Sequence, residues 1–78
     1  MILNEFTNYG WTLKTHTPLE TVYVYEDNEF TIENKNDRII VKSPIKNSNY
    51  IYRTSFAIPK DATRHILAHL DYFMQKIE

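Results

Sequence analysis

The chain has 78 residues, 42% hydrophobic and 24% charged, with a single glycine and no cysteine. A chain of this size forms one domain (1–78) with a thin core, and its apolar share excludes disorder. The formal net charge of −1 argues against nucleic-acid binding through bulk charge, and the lack of cysteine excludes disulfides, thiol chemistry and Cys-ligated zinc.

Ile2, Leu3, Phe6 and Tyr9 recur as one face of a helix, and Gly10 stands where a left-handed cap would end it, so a short N-terminal helix is expected. An acidic Glu5, with no basic start or apolar run around it, gives no secretory signal, and nothing approaches the ~18 apolar residues of a membrane span. The expected setting is the cytoplasm. Residues 11–17 alternate large apolar with polar side chains as a first extended segment, which Pro18 ends.

Residues 21–25, 30–34, 38–43 and 50–58 are rich in β-branched and aromatic side chains and are separated by turn-forming stretches. A tight turn at Lys35-Asn36 would set Glu33 opposite Arg38, Ile32 opposite Ile39 and Phe30 opposite Val41, pairing charges on one face and apolar groups on the other. A second at Asp27-Asn28 would set Tyr25 beside Phe30 and Tyr23 beside Ile32. One face then collects Tyr23, Tyr25, Phe30, Ile32, Ile39 and Val41, joined by Tyr52, Phe56 and Ile58.

Pro59 stops the last strand, and Asp61 is the expected N-cap of a helix whose Ile66, Leu67, Leu70, Phe73, Met74 and Ile77 form one apolar stripe. A sheet with one apolar face and a helix with one apolar stripe bury each other. The expected fold is α+β: an antiparallel β-meander of four to five strands with a C-terminal amphipathic α-helix packed on one face.

Chemistry is sparsely signalled. His65 and His69 stand one helical turn apart, with Asp61 a further turn back, but the spacing lacks the Glu of a His-Glu-x-x-His zinc motif and Asp61 is spoken for as a cap. Solvated helix positions account for both histidines, so no metal or cofactor is expected. One glycine excludes phosphate-cradling loops and nucleophile elbows, and Glu26 with Glu29 falls in an expected turn, where simple solvation of a hairpin tip accounts for both. The expectation is a non-enzyme.

Tyr50, Tyr52 and Arg53, with Lys42, Lys46 and Arg38 nearby, interleave rings and cations as single-strand binders do. In topology alone, a meander followed by a helix resembles the transcriptional-coactivator type of single-strand-binding domain, in which two copies share a curved sheet. The competing assignment places Tyr52 in the core and Arg53 in a cross-strand ion pair, and the net charge of −1 favours it.

Two surfaces go beyond a generic small domain. The second sheet face carries Val22, Val24, Ile40 and Ile51, which need cover from the aromatic N-terminal segment, a second copy or a partner; the chain's own Phe6, Tyr9 and Trp11 are the favoured cover. On the helix, His65, His69, Tyr72 and Lys76 line the ridge away from the core, where a tyrosine can anchor an interface. The expected role is therefore a small protein-binding module. An Asn-, Lys-, Ile- and Tyr-rich composition, common in phage and mobile-element proteins, suggests an inhibitor of a host protein machine. The alternative is a dimeric single-stranded nucleic-acid binder.

Overall fold

The computed structural model describes residues 1–45 and 48–74. A short helix α1 (Glu5–Asn8) precedes five strands, β1 (Thr12–His16), β2 (Glu20–Tyr25), β3 (Asn28–Asn34), β4 (Ile39–Pro44) and β5 (Ile51–Phe56). Two helices follow, α2 (Pro59–Ala68) and α3 (Leu70–Phe73). The strands form one antiparallel sheet in chain order, which leaves β1 and β5 as its edges. With α2 packed across β4 and β5, this is the α+β meander and C-terminal helix that the periodicities predict. Among the described residues no helix is long and apolar enough to cross a membrane.

The core lies between the sheet and the helices. Tyr23, Phe30, Ile32, Ile39 and Val41 from the sheet meet Ala62, Ile66, Phe73 and Met74 from the helical side, with Tyr52 and Phe56 partly buried at the β5 margin. Each fully buried large side chain contributes roughly 1.5–3 kcal/mol, so this cluster dominates the stability of a chain this short.

The expected strand register is corrected by two residues at both hairpins. Ile32 faces Val41 and Glu33 faces Ile40, because the loop between β3 and β4 spans four residues and closes with the Lys35 N–H donating to the Arg38 carbonyl at 2.9 Å. A two-residue turn at Lys35-Asn36 would have required left-handed backbone there, and among the described non-glycine residues only Glu26 has positive φ. The first hairpin accordingly turns on Glu26-Asp27, setting Tyr23 beside Phe30 and Tyr25 beside Asn28. A shift of two residues preserves the faces, so the apolar set survives while the expected Glu33–Arg38 pairing does not. Glu33 instead binds Lys42 at 2.6 Å and Lys35 at 3.3 Å, and Arg38 pairs with Asp37.

The N-terminal segment covers the helix-side face, not the second face. Phe6 stacks on Tyr23 with ring centroids 4.0 Å apart and meets Phe30 edge-on at 4.9 Å, while Trp11 packs against Phe6, Tyr25 and Phe30. The Leu3 N–H donates to the Tyr23 hydroxyl at 2.9 Å, and the Tyr9 hydroxyl donates to Asp71 at 2.9 Å, tying the segment to both sheet and α3. Gly10, at φ 85°, ends α1 as the single glycine suggested.

The C-terminal helix differs in two ways from the expected single rod. Ile58, not Asp61, is the N-cap, because Pro59 occupies the first helical position where its missing N–H costs nothing; Asp61 falls inside the first turn and meets Arg64 at 3.8 Å. Ile58 itself is exposed rather than part of the apolar face. The helix then breaks at His69 (φ −119°, ψ 20°), which redirects α3 so that Phe73 and Met74 both become buried. Leu67 is left exposed and Leu70 half-buried; Ile77 lies outside the described residues.

Candidate interaction surface

At the break between α2 and α3 the backbone N–H of His69 donates to Ile66, leaving the His65 carbonyl without its usual helical donor. The His69 ring takes over, its Nδ1 lying 2.9 Å from that carbonyl; since a carbonyl can only accept, Nδ1 carries the proton. His65 turns inward. Its ring lies nearly parallel to Tyr52 (13°, centroids 5.9 Å apart), its Nε2 is 3.1 Å from the Tyr52 hydroxyl, and Phe56 and Phe73 complete the packing. Burial pushes its pKa below the ordinary imidazole value, and the neighbouring His69 lowers it further.

The expected solvated ridge is thus half correct. His69 and Tyr72 are exposed, but His65 belongs to the contact between α2 and β5, and Lys76 lies outside the described residues. Tyr52, His65, His69, Tyr72 and Phe73 together line an open groove of about 230 Å³. The outer wall is Tyr72, 52% exposed, whose ring lies 6.5 Å from Tyr52. Sequence periodicity could not bring Tyr52 and Phe73 to this groove, since it does not foresee the break at His69.

Beside the groove runs β5, which among the described residues has a neighbouring strand on one side only. Tyr50 and Ile51, at its start, are 79% and 70% exposed. Tyr52, Thr54 and Phe56 turn to the helix side, and Ile51, Arg53 and Ser55 to the other. The candidates for nucleic-acid binding are therefore divided: Tyr52 faces the helices, whereas Arg53 and its cross-strand neighbour Lys42 lie on the opposite face, with Lys42 held by Glu33. Lys46 lies outside the described residues.

On the second sheet face the expected exposed apolar patch contracts. Val22 is 7% and Ile40 2% exposed, and Val24 is half-buried, so of the four only Ile51 stands in solvent. Ile40 sits between Glu33 and Ser55 in the ladder, and Glu33 pairs with Lys42 and Lys35, so long side chains stand beside the small β-branched ones on this face.

Elsewhere, a cleft of about 340 Å³ between the β1–β2 connection and the start of α2 is lined by Thr17, Glu20, Thr21 and Lys60 among others. Its buried Thr21 hydroxyl is already matched, by the N-terminal ammonium at 2.9 Å and His16 Nδ1 at 3.0 Å. Among the described residues no three His, Cys, Asp or Glu side chains gather as a metal site. Comparison with protein-family models, curated proteins and solved structures finds no match.

Proposed function

We propose that the chain is a protein-binding module that engages its partner through the β5 edge and the adjoining aromatic groove. The observation that carries this reading is the exposure of Tyr50 and Ile51 at the start of an edge strand whose next residue, Tyr52, lines an aromatic groove together with exposed Tyr72. Exposed apolar side chains gathered beside a concave aromatic surface are the usual makings of a binding site, and tyrosine is an effective anchor because it loses little conformational freedom on association. Inhibition of a larger protein machine by occupation of a surface fits a module with this arrangement. The nucleic-acid alternative is less well supported, since the rings and cations it would use point to opposite faces of the sheet.

The test compares immobilised parent with a Tyr50→Ser, Ile51→Ser, Tyr72→Ser variant and with Leu19→Ser, which alters an equally exposed apolar residue away from β5. Proteins retained by the parent and by Leu19→Ser should be lost by the triple variant at unchanged melting temperature. Identical retained proteins on all three would contradict the reading.

A further inference from the structure

Resting on the assignment of this edge as a protein-binding surface, we propose that β5 receives an extended acidic segment of another protein as an added sixth strand. Carboxylates of that segment lie over Arg53, and its aliphatic side chains lie over Tyr52 and Phe56.

The two sheet edges differ in how they meet a foreign strand. β1 carries a bulge between Leu13 and Thr15 and projects Lys14, paired with Glu29 at 2.7 Å, both features that discourage edge pairing. β5 has no bulge and keeps unbroken register with β4 from Ile51 to Phe56, and its one cation, Arg53, has no carboxylate at ion-pair distance among the described residues. Its outer row of backbone donors and acceptors is a template for one more strand.

Alternation along β5 sets the chemistry of the occupant. A strand laid alongside meets Tyr52, Thr54 and Phe56 with one set of alternate residues and Ile51, Arg53 and Ser55 with the other. The first set meets the rings of Tyr52, at the groove, and of half-buried Phe56, which aliphatic side chains would cover. The second meets Arg53, for which no carboxylate lies within ion-pair distance among the described residues, while neighbouring Lys42 is already bound to Glu33. Charge complementarity therefore calls for an acid opposite Arg53. A second copy of β5 is the poorer occupant. In any two-fold antiparallel pairing centred on Tyr52, Arg53 or Thr54, the Arg53 guanidinium faces its symmetry mate directly or diagonally, with no acid between them.

The probes are blocked seven-residue peptides titrated into the full chain by calorimetry: alternating valine and glutamate, alternating valine and lysine, the valine–glutamate composition with its alternation broken, and the alternating peptide methylated on the backbone nitrogens of one edge. The alternating glutamate peptide should bind roughly tenfold or more tightly than the lysine peptide, and Arg53→Glu should reverse that order. Broken alternation, or methylation of the pairing edge, should abolish binding. Equal affinity for the two alternating peptides, no effect of Arg53→Glu, absence of binding up to about 1 mM, or sedimentation of the free chain as a dimer through β5 would overturn the proposal. Should the peptides fail while the Tyr50, Ile51 and Tyr72 substitutions still abolish partner capture, strand addition falls and the surface assignment stands. If those substitutions leave capture intact, both fall.

Discussion

The hydroxyl of Tyr52 and Nε2 of His65 lie 3.1 Å apart, with the two rings nearly parallel, so the innermost imidazole of the helical segment is fastened to the edge strand. Because burial and the nearby His69 both disfavour its cationic form, folding selects the neutral ring. The unfolded chain then takes up the proton more readily. Stability contributed by neutral His65 is fully present above the ordinary imidazole pKa of about 6.5, is lost as pH falls through that value, and ceases to fall below the lowered folded value. Melting temperatures of the parent should decline on acidification from about pH 7, and His65→Gln should show a smaller decline. Parallel pH profiles would contradict this.

Glu33 is the ionic centre of the second sheet face. Its bonds to Lys42 and Lys35 outweigh partial burial and hold its carboxyl below the usual glutamate range. For a lowered carboxylate pKa the stability is present above the ordinary value near 4.3 and is lost as pH falls through the folded one. Glu33→Gln should therefore cost about 1 kcal/mol at pH 7 and little in strong acid, where denaturant midpoints of variant and parent should converge. Arg38→Ala should change the stability by less than about 0.5 kcal/mol, since its partner is the exposed neighbouring Asp37.

Ile66 and Phe73 are the helical anchors of the core, whereas Leu70 is only half-buried. Ile66→Ala should cost about 2–4 kcal/mol and Leu70→Ala clearly less, measured by urea unfolding. A larger loss from Leu70→Ala would indicate a continuous helix in place of the break at His69.

Glu26 holds φ at 54° in the β2–β3 turn, where a side chain with a Cβ is strained and glycine is not. Glu26→Gly should stabilise the chain by up to about 1 kcal/mol, relief of strain outweighing the added freedom of the unfolded state. A destabilised Glu26→Gly variant would show that the Glu26 side chain itself supports the turn.

Fold class was legible in the sequence because period-two and period-3.6 patterns name the buried faces directly, and a register error of two residues leaves those faces unchanged. The register itself was not legible: Lys35-Asn36-Asp37-Arg38 carries no glycine to distinguish a two-residue from a four-residue loop. The break at His69 also went unannounced, because no glycine or proline marks it and the advantage of burying both Phe73 and Met74 exists only once the sheet is in place. Tyr72 was legible as an exposed residue, but its placement beside Tyr52 in one groove depends on that break. Exposure on the second sheet face was not legible, because alternation reports which side a residue takes and not how far its neighbours cover it.

The most direct measurement places a photo-reactive benzophenone residue singly at positions 50, 72 and 19, and irradiates each labelled chain with a lysate containing its partner. The same adduct should form from positions 50 and 72 and not from position 19. Adducts from position 19 alone, or from all three alike, would contradict binding through the β5 edge.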